Sequence, residues 1–212
     1  KYLFFLYDRK KFNPFYSKNF KKFIINNKKK WGKLNLSKSK IDEYILVESF
    51  INHPIYTITN CYIAKIVSNV LGRECWGILR LGDIRGTKIM NSFGINKIIY
   101  IHEGNFFSRL WYLVIAYNHL IKIKNIKSLI RFKINKIEFG SSIYEQYIRF
   151  KKKPNISTIN IDLYYLLSRA LNYNSQFQNI FKNEKKNYLI QGETQYFPFR
   201  ICLQNSLKFK NK

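Results

Sequence analysis

The sequence predicts an open α/β fold: a mostly parallel, Rossmann-like sheet with helices on both faces. Three observations carry this. Short apolar runs alternate with stretches of helical periodicity along most of the chain, which is the order that parallel crossovers demand. Residues 44–50, 55–71 and 75–79 make a strand–helix–strand unit within about 35 residues, the length of one βαβ crossover. Polar or charged residues also recur just past the ends of four predicted strands, where open α/β sheets hold their ligands.

Taken in order, residues 2–7 (YLFFLY) read as a strand or a short buried run. They are too few to span a bilayer, which takes about 20 apolar residues, and no signal-peptide cleavage site follows them. The chain opens on Lys1 rather than Met, which reads as a fragment or a processed product. Residues 10–40 are rich in Lys and Asn, with Phe12, Phe15, Phe20 and Phe23 interspersed. They read as an irregular loop anchored by its aromatics in preference to an amphipathic basic segment. Residues 1–40 are therefore set apart as an N-terminal segment. Residues 41–212 are taken as one α/β domain, incomplete relative to a longer protein.

The run at 44–50 is a buried strand. His53-Pro54 breaks it, and Pro suits the first turn of a helix. Apolar residues at Ile55, Ile58, Tyr62, Ile63, Ile66, Val67 and Val70 have helical spacing, and Gly72 is the expected stop. Strands follow at 75–79 and 97–102, with a short helix at 86–93 between them. Helices are predicted at 106–121, 123–132, 143–150 and 161–181, with a turn at Lys153-Pro154. A last strand at 188–191 and a last helix at 197–207 complete the pattern.

Composition bears on function. The 212 residues carry 38 Lys plus Arg against 12 Asp plus Glu, a formal charge of +26. With 46% hydrophobic and 17% aromatic residues, the chain has the apolar surface that disordered basic tails lack. Lys outnumbers Arg by 29 to 9, and Ala and Val are scarce where Ile, Asn, Phe and Tyr abound. That is the imprint of A/T-rich codons, so much of the charge reads as coding bias. A basic surface still attracts polyanions and anionic lipid. Three widely spaced cysteines, Cys61, Cys75 and Cys202, make neither a disulfide framework nor a zinc pattern and fit a reducing compartment.

The strand-end residues are the candidate ligands: Glu48 and His53; Arg80, Asp83 and Arg85; His102 and Glu103; and Glu193. His102-Glu103 has the composition of a general base with its partner, or of a hydroxyl-binding pair. Arg80-Leu-Gly-Asp-Ile-Arg85-Gly has forked donors and glycines suited to a phosphate, or is a plain basic turn. The P-loop and G-x-G-x-x-G patterns are absent, as is the G-x-S-x-G elbow. No histidine spacing suggests a metal site.

In residues 137–154, Gly140 reads as a turn, Ser141 or Ser142 as a helix cap, and Glu145 as a first-turn acid paired with Arg149 at i, i+4. This segment resembles a stretch of bacterial surface and capsular polysaccharide biosynthesis proteins that are glycosyltransferase-like, with the pattern Gly-Asp-Leu-Ile-Tyr-Asp, Tyr-Leu-Arg, Lys-Pro-Thr. Gly140, Ile143, Tyr144, Tyr147, Ile148, Arg149, Lys153 and Pro154 fit it. Val47-Glu48, His53-Pro54 and Tyr56 resemble that family's first strand-to-helix junction. The chain departs from the pattern at Ser141, Glu145 and Asn155.

The resemblance runs from about residue 44 to 207. It implies the amino-terminal, acceptor-side half of a GT-B glycosyltransferase; with the strand-end reading beside it, Glu145, His102 and Glu103 are the candidate catalytic residues. Glu48, His53, Arg80, Asp83, Arg85, Gly140, Tyr144, Arg149 and Glu193 would bind substrate. It further implies a lipid-linked or surface glycan acceptor, and no cofactor on this chain. The nucleotide-sugar donor would lie in a carboxyl-terminal half beyond it. The expected place is the cytoplasm, at the inner face of the membrane. The alternatives are a basic nucleic-acid-binding protein, ribosomal or organellar, or an inactive truncated copy.

Overall fold

The computed structural model describes residues 18–32, 43–51, 53–152, 156, 158–182 and 187–209. The run at 2–7 and the turn at Lys153-Pro154 lie outside them, as does Asn155. The architecture is α/β. Helix α1 (Lys18–Trp31) precedes β1 (Tyr44–Ser49), α2 (Pro54–Leu71), β2 (Glu74–Arg80), α3 (Ile84–Ser92) and β3 (Lys97–Ile101). Then come α4 (Phe106–Leu120), α5 (Ile126–Ile130), a hairpin of β4 (Lys133–Ile134) and β5 (Ile137–Glu138), and α6 (Phe139–Lys151). Helix α7 (Ile161–Phe181), β6 (Asn187–Ile190) and α8 (Phe199–Lys208) end the described chain.

The main sheet has the order β3-β2-β1-β6 and all its pairings are parallel. Strand β1 is its centre and is buried along its whole length, which explains why its sequence is an unbroken apolar run. Side chains alternate across it. Tyr44 and Leu46 enter a core with α4 to α8, built on Phe139, Leu167, Tyr173, Phe177 and Phe199. Ile45 and Val47 enter a second core with α1 to α3, around Cys61, Ala64, Ile89 and Met90. Two hydrophobic layers thus clamp one sheet. The three cysteines are free and buried in these layers.

Helix α2 follows the sequence reading closely: Pro54 opens it, and Gly72, at φ +62°, ends it with its amide on the Ser68 carbonyl. Elsewhere the structure corrects the reading. Residues 18–31 are helix rather than irregular loop. Phe20, Phe23, Ile24 and Trp31 recur at helical spacing and pack on the α2–α3 core. Trp31 meets Tyr62 at 5.7 Å and Phe93 at 6.1 Å between ring centroids, and Asn27 Nδ2 donates to Ser92 Oγ at 2.9 Å.

Helix α6 also starts earlier than expected. It begins at Phe139, with neither Ser141 nor Ser142 as its cap. Ser142 Oγ instead donates back to the Glu138 carbonyl at 2.6 Å, and Gly140 is helical rather than a turn. The hairpin before it turns through Asn135 and Lys136, both at positive φ.

Candidate functional site

Because all four strands are parallel, their carboxyl ends share one edge. The chain leaves β1 toward β2 and β3, then returns to pair β6 on the other side of β1. The crevice outside the ends of β1 and β6 is therefore the topological switch point, where open α/β sheets bind ligands. Glu48, Arg80, His102, Glu103 and Glu193 all lie at or just past strand ends on this edge, as their spacing suggested.

Glu48 is the anomaly in β1, a carboxylate at 0% exposure within an apolar run. Its Oε2 accepts the Phe50 amide at 3.0 Å. Its Oε1 accepts from the Tyr56 hydroxyl in a close contact and from Asn60 Nδ2 and the Gly192 amide, each at 3.4 Å. Burial pushes the carboxyl up to about 7, although the hydrogen bonds from Tyr56, Phe50 and Gly192 and the charge of Arg80 all favour its ionised form. Glu48 itself cannot touch a ligand. Tyr56, half-buried above it, can: its hydroxyl accepts the Gly192 amide at 3.1 Å while donating to Glu48. Only a glycine at 192 admits this approach, since a Cβ there would lie 2.9 Å from the Tyr56 ring.

Half-buried Tyr56 and Tyr196 pack at this edge on the buried ring of Phe199. Phe199 contacts the rings of Phe50, Tyr56 and Tyr196. The Arg149 guanidinium lies 4.4 Å from the Tyr196 ring centroid. Burial raises the Tyr196 hydroxyl, against the pull of Arg149 and with the charges of Glu193 and Glu48 adding to the rise. Glu193 holds the loop: its Oε1 accepts the Thr194 and Gln195 amides at 2.8 and 3.0 Å.

Beyond β2 and β3 opens a cleft of about 650 Å³ lined by Arg80, His102, Glu103, Asn105, Arg109 and Tyr173. Glu103 is not the partner of His102. It accepts Arg169 Nε and Nη2 at 2.8 and 2.5 Å and the Tyr173 hydroxyl at 3.0 Å. Burial opposes its ionisation, but Arg169 and Tyr173 hold the carboxyl below its usual range, which makes it an anchored anion and not a base.

The His102 backbone is held by Asn172 and Gln176 of α7, and its Nδ1 accepts the Gly104 amide at 3.0 Å. That bond leaves Nε2 as the outward-facing nitrogen of an exposed ring. Arg80 links the two halves of the edge, since its charge bears on Glu48, Glu103 and Tyr173 alike. Arg169→Met is expected to cost about 1–2 kcal/mol, the worth of a partly exposed bidentate pair. Urea unfolding in a double-mutant cycle with Glu103→Gln reads the coupling, and additive effects would refute it.

Other expected residues fall differently. Asp83 caps α3, its Oδ1 accepting the Gly86 amide at 2.8 Å. The amide that would meet a phosphate is taken, and a second anion beside Asp83 is repelled. Arg85 lies half-buried in the first turn of that helix, so the 80–86 loop reads as the basic turn. Glu145 and Arg149 do not pair. Glu145 faces Arg200 at 3.6 Å and Arg149 faces Tyr196. Tyr144 packs against the core. Gly140 is held against Leu129 and is structural. His53 is exposed at the start of α2, with no cap bond from its ring.

Sequence reasoning passed over Arg169, Asn172, Tyr173 and Gln176. Their i, i+3, i+4, i+7 spacing on α7 was a visible sign of one polar face. It also overlooked Tyr196 and gave Tyr56 no role of its own.

Fold and edge together define an open parallel α/β domain with Glu48, Tyr56 and Tyr196 at its switch point and a polar cleft beyond β2 and β3. The chain matches no family model, no curated protein and no solved structure. Among the described residues, no helix is long and apolar enough to cross a membrane.

Proposed function

We propose that this chain is the acceptor-side domain of a glycosyltransferase-like protein of cell-surface polysaccharide assembly, and that its β1–β6 crevice holds a polyhydroxylated acceptor. The observation that carries this is the Glu48–Tyr56 pair at the switch point. A carboxyl poised near neutrality is bonded to the hydroxyl of half-buried Tyr56. General-base work at neutral pH needs a group of that affinity. Tyr196 with Arg149 supplies the flat ring and forked donors that suit a sugar face and its hydroxyls.

In this reading an acceptor hydroxyl hydrogen-bonds Tyr56. As its oxygen forms the new bond to the donor's anomeric carbon, its proton passes to Tyr56 and the Tyr56 proton passes to Glu48. The bond from that carbon to the nucleoside diphosphate breaks, and the diphosphate leaves with the electron pair. The donor would be held by a second half beyond this chain. Arg80, His102 and Arg109 would receive the anionic or distal part of the acceptor.

Saturation-transfer NMR of this chain with a panel of methyl glycosides tests binding. Transfer to at least one glycoside, lost in Arg149→Ala and Tyr196→Ala but kept in Tyr56→Phe, is expected. In a protein containing both halves, Tyr56→Phe should lower kcat by about 100-fold or more with little change in KM. Absence of transfer to every glycoside, from protein with a native circular dichroism spectrum, would reject the reading.

A further inference from the structure

Helix α4 is largely apolar but covered on one side only. Its inner face, with Tyr112, Ala116 and Leu120, joins the core shared with α7. Its outer face presents Phe106, Phe107, Leu110, Trp111, Val114 and Tyr117 to solvent, Phe107 at 78% and Trp111 at 64% exposure. The stripe runs the length of the helix and continues onto Ile121, also exposed. Scattered surface apolar residues need no account, but a continuous aromatic stripe marks an interaction site.

Charge says what covers it. No acidic residue occurs between Glu103 and Glu138, while seven basic residues do: Arg109, Lys122, Lys124, Lys127, Arg131, Lys133 and Lys136. All seven are exposed. Trp, Phe and Leu on one helix face, next to Lys and Arg with no acid among them, is the composition of a helix lying in a membrane interface. A partner protein with an apolar groove would not require such a one-signed border, whereas an anionic headgroup layer is attracted by each exposed cation. The 15 residues of α4 span about 22 Å at 1.5 Å each, short of the roughly 30 Å of a hydrocarbon core. The helix can therefore lie on a bilayer but not cross it.

We infer that the outer face of α4, with the basic segment that follows it, docks this protein onto an anionic bilayer surface. Phe106, Phe107 and Trp111 enter the acyl boundary while Lys122, Lys124 and Lys127 meet phosphate headgroups. Vesicle binding needs no acceptor, so this inference stands or falls apart from the reading of the crevice.

Flotation with vesicles of phosphatidylcholine alone, and with one-third phosphatidylglycerol, tests it. Binding to the anionic vesicles only is expected. The triple change Phe106→Ser, Phe107→Ser, Trp111→Ser should lower the partition coefficient by about 100-fold or more. Neutralising Lys122, Lys124 and Lys127 to Gln should lower it by roughly 100-fold. In the unaltered protein, brominated lipid should quench tryptophan fluorescence, and Trp111→Phe should abolish that quenching, a readout that survives if the triple variant fails to fold.

Failure of the unaltered protein to bind anionic vesicles would overturn the proposal. So would binding that survives the apolar changes and vanishes only with the lysines, since the charge alone would then act. A dimer in sedimentation that the apolar changes dissolve would assign the face to a second copy instead.

Discussion

Gly140→Ala is expected to destabilise the protein by about 3 kcal/mol, at the upper end for overpacking a closed site. In an open helix the same change would stabilise by up to about 1 kcal/mol, because alanine is the better helix former. The sign reverses here because α6 starts against the end of α5. A Cβ on Gly140 would lie 1.6 Å from the Leu129 carbonyl oxygen and 2.8 Å from its carbon.

Neither partner can yield cheaply. The Gly140 amide donates to the Phe132 carbonyl at 2.9 Å, which pins the two segments together, and both Leu129 and Phe139 are wholly buried. Urea unfolding measures the loss. Ser141→Ala is the control: the Ser141 hydroxyl is buried without a partner, so its removal should leave stability unchanged or raise it by about 1 kcal/mol. A Gly140→Ala protein as stable as its parent would mean that α5 and α6 do not meet as described.

Gly140 also shows where sequence reading stops. A glycine between an apolar run and a serine pair signals a turn or a cap, because local pattern cannot register a carbonyl arriving from another helix. The strands were legible for the opposite reason. Residues 44–50 and 75–79 are buried on both faces or nearly so, and a strand in that position must be continuously apolar. Residues 97–102 form the sheet edge, with Lys97 and Tyr100 exposed, and are legible from Ile98, Ile99 and Ile101 alone. Helix α1 was hidden by its lysines. Six of its fourteen residues are Lys, and the burial of Phe20, Phe23, Ile24 and Trp31 on one face emerges only at helical spacing.

At the candidate site, the placement of charges past strand ends follows from parallel topology and was readable. Partnerships were not. His102 and Glu103 are neighbours in the chain, yet strand geometry sends them to different company. Glu103 is claimed by Arg169, sixty-six positions away. Glu145 and Arg149 fit the i, i+4 rule, but Arg200 and Tyr196 from α8 and the loop before it compete for them and win.

Glu48 should make the protein lose stability as pH rises through the range where most carboxylates are already indifferent. Burial pushes the folded-state carboxyl up to about 7 from the ordinary 4.5. Below about 4.5 it is protonated in both states and contributes nothing to the pH dependence. Between the two values the folded protein holds a proton that the unfolded chain has released, so stability falls with pH. Above about 7 both are ionised and the slope vanishes. At ~1.4 kcal/mol for each unit the total is on the order of 3 kcal/mol.

The chemistry of the pocket makes this asymmetric. Phe50 N, Gly192 N and Asn60 Nδ2 are donors only, so the added proton is accommodated by Tyr56, whose hydroxyl can turn from donor to acceptor. Glu48→Gln has no such freedom to titrate. Urea unfolding of both proteins from pH 5 to pH 8 isolates the effect, because the two proteins differ only at residue 48. The difference in stability between parent and Glu48→Gln should shift by about 3 kcal/mol over that range, in favour of the variant at pH 8. Parallel curves would show that Glu48 is ionised throughout with an ordinary carboxylate's affinity, too weak a base for the proton relay on which the reading of the crevice depends.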